Sequence, residues 1–294
     1  MEWLQGKVGQ VGRFQNYKNT LSKVFRRVLE NRQRSIPEEI SPAEYVETRF
    51  EANALINVWK QFRSDTSRLL AEKLAIIVRG AQLTSSEGKK TEPRDILFEL
   101  ETAALLKDWL LPVQLGHSAD LRFEFNGVPV LCECKRPQTP KAFAKNLKIA
   151  NSQLRDALAE PHCPANAIGL IAIDISRVVH LDLQGLERYQ PTKYGNFELP
   201  SNMVGVLNQV QFGQVVEERV LSFLDLHREA FLHQFSLRVG GYMVCYNIPA
   251  VDLNGTGRTW VLGYQNIGGL KPSTSGESQF FRDFHTAMLP RFRY

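Results

Sequence analysis

The dipeptide Asn126-Gly127 is the feature that most constrains the fold of this chain. It stands between two runs of strand-forming residues, 121–125 and 128–135. Asn-Gly is typical of a two-residue type I′ turn, because both central positions of that turn need positive φ. The sequence therefore predicts a β-hairpin of defined register. Its pairs run outward from the turn as Phe125 with Val128, Phe123 with Val130, Leu121 with Cys132, and Asp120 with Glu133.

This register brings three charged side chains together at the open end of the hairpin. Asp120 and Glu133 are directly opposed, so their Cβ atoms are expected about 4.5–5.5 Å apart. Lys135 projects from the same face as Glu133, because side chains alternate along a strand. The opposite face is wholly apolar and is predicted to be the core face, whereas a one-residue slip would bury the charges instead. Opposed like charges need compensation, and a divalent cation with hard oxygen ligands, such as Mg²⁺, would provide it.

The arrangement resembles the PD-(D/E)XK nuclease superfamily, the restriction-endonuclease-like phosphodiesterases. In that family an Asp opens one strand of a hairpin and Glu-x-Lys closes the next, as Asp120 and Glu133-Cys134-Lys135 do here. An acidic residue on the preceding helix often joins them, and here Glu99 is the better match, with Glu101 in reserve. The resemblance covers about residues 92–180.

The chain departs from the family pattern at one position, since Ala119 stands where the family name has Pro. Glu-x-Lys alone is also a weak signal, because it recurs at Glu87-Gly88-Lys89 in a polar stretch. Context distinguishes the two occurrences. An acidic helix, an Asp-led strand, a tight turn and another helix surround Glu133-Cys134-Lys135, whereas Glu87-Gly88-Lys89 has no such surroundings. The alternative is an ordinary exposed hairpin end with a Glu/Lys pair of little energetic weight.

The resemblance implies an α/β fold: a restriction-endonuclease-like core with a central mixed β-sheet flanked by helices, plus a helical N-terminal region. It implies metal-dependent hydrolysis of phosphodiester bonds, in DNA, with Mg²⁺ as cofactor and Mn²⁺ able to substitute. Lys135 would position the attacking water. The implied metal ligands are Asp120, Glu133, Glu99 and the backbone carbonyl of Cys134. Enzymes of this superfamily serve restriction, repair, recombination and defence against phage. An RNA nuclease, or a non-catalytic module that binds nucleic acid or protein, stays open as an alternative.

A helix is predicted from Lys141 to Ala159, with polar and basic residues on one side. Related nucleases often place such a residue near the scissile phosphate. The residues predicted to contact nucleic acid are Lys141, Lys145, Lys148, Gln153 and Arg155. A solvated basic face is the alternative for this helix. The almost continuously apolar run 168–175 then predicts a central strand buried on both sides.

Composition bounds the class of protein. Hydrophobic content of 43% and charged content of 23% over 294 residues are ordinary for a soluble globular protein. The chain has no run of 18 apolar residues and no apolar signal segment at its start, which predicts a cytoplasmic protein without a membrane partner. Its four cysteines suggest reduced, buried thiols. The polar stretch 84–91 is the best linker, and it predicts a helical region at 1–90 and a nuclease-like α/β domain at 91–294.

The net charge of +5 is unevenly distributed. Residues 1–36 contain eight Lys and Arg against two acids, and their apolar residues fall at helical spacing. An amphipathic helix with a basic outer face is therefore predicted. This face would either follow the phosphates of a nucleic acid or remain simply solvated.

Overall fold

The computed structural model of the chain describes most of its residues. The described ranges are 1–31, 39–40, 42–82, 91–116, 118–178, 190–191, 197–198, 218, 220–232, 238–251, 259–269, 280, 283–284 and 286–287. The predicted linker at 84–91 lies outside them except for Thr91.

Helices form the N-terminal part of the chain, as the sequence predicted. They are α1 (Glu2–Val8), α2 (Arg13–Asn31), α3 (Pro42–Phe62), α4 (Arg68–Ile77) and α5 (Glu92–Asp108). Proline occupies the first position of α3, where its missing N–H costs no helical hydrogen bond. The side chain of Ser67 caps α4 by accepting a hydrogen bond from the backbone N–H of Leu70.

A mixed β-sheet follows. Its strands are β1 (Gln114–Leu115), β2 (Leu121–Phe125), β3 (Val128–Lys135), β4 (Ile168–Asp174), β5 (Gln190–Pro191), β6 (Phe197–Glu198), β7 (Val239–Val251) and β8 (Thr259–Gly269). They run in the order β1-β2-β3-β4-β7-β6-β5, and β8 also pairs with β7. The first three are antiparallel, whereas β3, β4 and β7 are parallel.

The parallel pair β3 and β4 is joined by α6 (Pro140–Leu158), which packs on both strands. A helix that links the end of one strand to the start of a parallel neighbour must run back along the sheet. The first turn of α6 therefore lies near the carboxyl end of β3. Strand β4 is buried on both sides, as predicted from its apolar run.

The chain forms two compact units. The first contains residues 1–97, 180–219 and 247–262, and the second contains 98–179, 220–246 and 263–294. In the first unit, Leu70, Leu74 and Ile77 are buried from α4. In the second unit, Phe123 and Phe125 pack against the ring of Phe284. The functional division at residue 90 stays a prediction.

The coarse fold class is confirmed: the protein is α/β, with a mixed sheet flanked by helices. All four cysteines are free thiols, of which Cys132 and Cys245 are buried and Cys134 and Cys163 are partly exposed. Within the part of the chain that the structure describes, helices long and apolar enough to cross a membrane are absent.

Candidate functional site

The hairpin has the register that the Asn-Gly turn predicted. Asn126 and Gly127 both have positive φ, at 49° and 76°. Strand pairing joins Phe125 to Val128 and continues to Leu121 and Cys132. Positive φ is strained for most side chains, so this dipeptide favours the turn over continued strand. The local sequence thus sets which residues meet at the open end.

Three charged groups meet at that end, at the carboxyl end of β3. The Nζ atom of Lys135 lies 2.7 Å from Oε2 of Glu133 and 3.8 Å from Oδ2 of Asp120. The side chains of Asp120 and Lys135 are 29% and 15% exposed, so the cluster is open to solvent on the side of Asp120. Two carboxylates and an ammonium group therefore form one compact, partly accessible site.

Glu133 is more deeply buried than the sequence indicated, with 2% exposure. Leu131, which shares its face of β3, is paired with Gly169 of β4. A Cβ placed on Gly169 would lie 3.2 Å from Cδ1 of Leu154 in α6. This helix therefore covers the face that carries Glu133. The apolar face is core, as predicted, but the implied exposure of the charged face is wrong for Glu133.

Asp120 also has a role in the backbone of the hairpin. Regular pairing of β2 with β3 ends at Leu121 and Cys132. One step further, Oδ2 of Asp120 accepts a hydrogen bond of 2.8 Å from the backbone N–H of Cys134. A buried amide without a partner is costly, so the carboxylate extends the ladder beyond its last backbone pair. This interaction fixes one oxygen of Asp120 beside β3.

The pKa values in the cluster are shifted in ways that follow from burial and charge. Burial raises the pKa of Glu133, the charge of Asp120 raises it further, and Lys135 partly opposes both effects. Burial lowers the pKa of Lys135, but Glu133 and Asp120 together outweigh it, so the net shift is upward. Lys135 is therefore protonated and positively charged at neutral pH.

The thiol of Cys134 points away from the carboxylates, since side chains alternate along β3. Although the residue as a whole is partly exposed, burial of the thiol raises its pKa well above the ordinary value, and the neighbouring thiol of Cys132 raises it further. The negative charges of Asp120 and Glu99 add to this rise. Glu99, predicted as a further acidic ligand, is 3% exposed on α5 and belongs to the electrostatic surroundings of Cys134. Glu101, the second choice for the acidic residue on this helix, is half-buried.

The residues predicted to contact nucleic acid are all exposed on α6: Lys141, Lys145, Lys148, Gln153 and Arg155. The buried residues Phe143, Leu147 and Leu154 occupy the opposite side of the helix. At 1.5 Å per residue, Lys141 lies near the carboxyl end of β3, and Gln153 lies about 18 Å further along the axis. Lys141 is therefore the member of this set placed nearest to the charged cluster.

A second ion pair beside the cluster was missed by the sequence analysis. Arg136 follows β3 directly, and its Nε donates to Oδ2 of Asp174, the last residue of β4, at 3.1 Å. Gln138 donates to the backbone carbonyl of Arg136 at 3.1 Å and accepts from Arg177 at 2.5 Å. These bonds tie the segments that leave β3 and β4. The available signal was that polar residues follow adjacent predicted strands, whose carboxyl ends form the usual ligand site of open α/β sheets.

The carboxylates of Asp120 and Glu133 are oxygen donors of the kind that Mg²⁺ prefers. In the residues that the structure describes, groups of three or more His, Cys, Asp or Glu side chains able to hold a metal ion are absent. Mg²⁺ commonly takes only one or two carboxylates and completes its shell with water and substrate phosphates. Asp120 and Glu133, both within 4 Å of Lys135, are a donor set of this kind.

Comparison with protein-family models, with curated proteins and with solved structures gives no match for this chain.

Proposed function

We propose that the protein is a metal-dependent nuclease of the restriction-endonuclease-like class, which hydrolyses phosphodiester bonds in DNA. One observation carries the proposal: Lys135 contacts the carboxylates of both Asp120 and Glu133 at the carboxyl end of β3. This combination supplies oxygen ligands for a cation and a fixed positive charge for a phosphate within one cluster. An ordinary surface ion pair consists of one exposed cation and one exposed carboxylate. This site differs because it has two carboxylates, one of which, Glu133, is buried.

Asp120 and Glu133 are the residues that would hold Mg²⁺, with the backbone carbonyl of Cys134 as a further ligand. Glu99, which lies in the surroundings of the Cys134 thiol, would be the fourth ligand that the resemblance implies. A bound Mg²⁺ supplies Lewis acidity towards the phosphate and lowers the pKa of a water molecule. Lys135 donates hydrogen bonds to the attacking water or to a phosphate oxygen. Because its pKa is raised, this residue acts as a cation and donor rather than as a general base.

The test is an assay of the purified full chain with circular, linear and single-stranded DNA and with RNA, in Mg²⁺ or Mn²⁺. We expect cleavage of DNA that falls at least about 100-fold in Glu133→Gln and in Lys135→Met, since each removes an electrostatic contact to the reacting groups. Glu124→Gln is the matched control, because Glu124 is exposed on the same hairpin.

Thermal unfolding of each variant establishes that it is folded. If the wild-type protein leaves every one of these substrates intact with both metals, the catalytic proposal is wrong. If RNA alone is cleaved, the substrate in the proposal changes from DNA to RNA, and the proposed catalytic residues stay the same.

A second candidate is a non-catalytic module with the same fold that binds nucleic acid or protein. The deep burial of Glu133, which leaves Asp120 as the more accessible carboxylate, favours it. Titration with Mn²⁺ separates the two candidates: a nuclease takes up the ion through Asp120 and Glu133, and Asp120→Asn weakens that uptake. A binding module gives the same weak titration in wild type and variant.

A further inference from the structure

A large cavity lies among α1, α2 and α3 of the first unit, far along the chain from the charged hairpin. Its volume is 1020 Å³, close to the upper end of the range of about 300–1,000 Å³ for pockets that hold small organic ligands. Trp3, Phe14, Tyr45 and Trp59 are among its lining residues. The lining is thus rich in aromatic groups, as in most small-molecule sites.

The wall formed by α3 has a regular pattern. Its lining residues are Tyr45, Arg49, Ala52, Leu55, Ile56 and Trp59, and the five other than Leu55 are spaced by four, three, four and three positions. Such spacing places all five on one side of the helix. This side is adjacent to the one that buries Val58 and Phe62 in the core. The cavity wall is therefore a second apolar stripe, which the described residues leave open.

Several apolar side chains around the cavity are strongly exposed. Phe25 is 64% exposed, Ile56 45% and Trp59 39%, and all three line it. Contiguous apolar surface of this kind is unfavourable in water, and on soluble proteins it commonly marks a binding site. Among the described residues this apolar surface is uncovered, which favours a binding site here.

The charges of the lining indicate which molecule fits. Lys18 of α2 and Arg49 of α3 are exposed cations that line the cavity, whereas Glu2 is the acidic residue among the described lining residues. Arg63 adds a third cation, with its guanidinium 5.8 Å from the ring centroid of Trp59. An anionic group is therefore favoured beside an apolar body. A second copy of this chain is disfavoured, because each copy would bury three cations, Lys18, Arg49 and Arg63, against one described lining acid, Glu2.

We propose that this cavity binds an amphipathic organic anion, a molecule with an extended apolar body and one acidic group. A medium- or long-chain carboxylate is the simplest member of the class. Its chain would lie against the aromatic and aliphatic walls, and its carboxylate would face Lys18 and Arg49. The site is independent of the proposed nuclease activity and can be tested without it.

The experiment measures the binding of octanoate, decanoate and dodecanoate to the full chain by calorimetry. Fluorescence is a second readout, because Trp3 and Trp59 line the cavity. Each added CH₂ buried should tighten Kd about fourfold, which is the conversion of about 0.8 kcal/mol per buried methylene. Decanol, which lacks the charge, should bind at least about tenfold more weakly than decanoate. Decyltrimethylammonium should bind more weakly still.

Two variants locate the site. Ala52→Phe should fill part of the cavity and raise the Kd for decanoate at least about tenfold. The double variant Lys18→Glu with Arg49→Glu should reverse the preference between decanoate and decyltrimethylammonium. Leu226→Gln is the control for an exposed apolar residue elsewhere, since Leu226 is 79% exposed and outside the lining. Should Ala52→Phe fail to fold, Ile56→Glu takes its place with the same expectation.

Three results would overturn the proposal. The first is the absence of binding for all three carboxylates. The second is binding that ignores chain length, charge or the cavity variants. The third is a dimer in analytical ultracentrifugation that Ile56→Glu dissociates, because a second copy of the chain would then cover the cavity.

Discussion

At the scale of single residues, Lys135 connects the stability of the site with its chemistry. It is 15% exposed and contacts a carboxylate that is 2% exposed. Its raised pKa means that its contribution to stability is present below its unfolded-state pKa and is lost only in alkaline solution. Glu133 also has a raised pKa, so its contribution is present at acid pH and is lost as the pH rises through the folded-state value.

Lys135→Met is therefore expected to destabilise the protein in a pH-dependent way. At pH 8 the variant leaves the buried carboxyl group of Glu133 beside the charge of Asp120 without its cation, which should cost about 3 kcal/mol. At pH 5 the loss should be smaller, because Glu133 without its cation takes up a proton more readily. Urea denaturation of wild type and variant at both pH values gives the difference. An equal loss of unfolding free energy at pH 5 and pH 8 would mean that protonation of Glu133 does not determine the cost of removing Lys135.

Asp120 has two roles that a pair of substitutions can separate. Asp120→Asn retains a side-chain oxygen for the N–H of Cys134 and should change the free energy of unfolding by less than about 0.5 kcal/mol. Asp120→Ala removes that acceptor and should cost about 1–2 kcal/mol. Both substitutions remove the negative charge, so both should abolish metal-dependent cleavage. A stable, active Asn variant would show that Asp120 serves the backbone alone.

At the scale of elements, α6 combines a buried stripe with a polar one. The buried side packs on β3 and β4, and the exposed side carries four basic residues over about 21 Å of helix. The exposed side has no role in packing among the described contacts. Lys141, Lys145 and Lys148 recur at about one cation per helical turn, which suits a chain of phosphates, whereas Arg155 follows two turns later and pairs with Asp156 at 3.2 Å. A solvated face remains the alternative.

The salt dependence of DNA binding distinguishes these two readings of α6. Replacing Lys141, Lys145 and Lys148 by Gln should reduce the slope of log K against log salt by about 2.7 for duplex DNA, or about 2.1 for single strands. Arg68→Gln is the control, because Arg68 is 92% exposed on α4 and pairs only with Glu72 in the described contacts. An unchanged slope in the triple variant would mean that the basic face of α6 is solvated and does not contact DNA.

At the scale of the whole molecule, the two units are stabilised by different means. The second has a sheet whose central strands are buried on both faces. The first contains a buried charge cluster in which Glu51 contacts Arg13 at 2.8 Å and Arg94 at 2.6 Å. Tyr17 donates to the same carboxylate at 3.2 Å, and burial raises its pKa. Glu51 thus joins α2, α3 and α5.

Glu51→Gln is expected to lower the free energy of unfolding by about 3–5 kcal/mol, because the buried guanidinium of Arg13 loses its anion and that of Arg94 keeps, among the described residues, only Glu47, at 2.9 Å. Glu72→Gln removes an exposed ion pair with Arg68 and should cost less than about 0.5 kcal/mol. Chemical denaturation of both variants makes the comparison. Similar costs for the two would mean that the buried cluster contributes little net stability.

The local sequence by itself determined the hairpin and what meets at its end. Positive φ at Asn126 and Gly127 sets the turn, and the two-residue period of a strand then brings Asp120, Glu133 and Lys135 to one place. The same kind of local rule places α6 and its exposed side. These features depend on neighbours a few residues apart, which a pattern in one segment can encode.

Only the tertiary structure decided how deeply each charged group is buried. Glu133 is covered because α6 lies over a face of β3 that the hairpin alone leaves open. Glu51 meets Arg94 across 43 positions of sequence, and the cavity wall is shared by three helices. Burial depends on which distant segments pack together, and the periodicity of one segment holds no information about its partner.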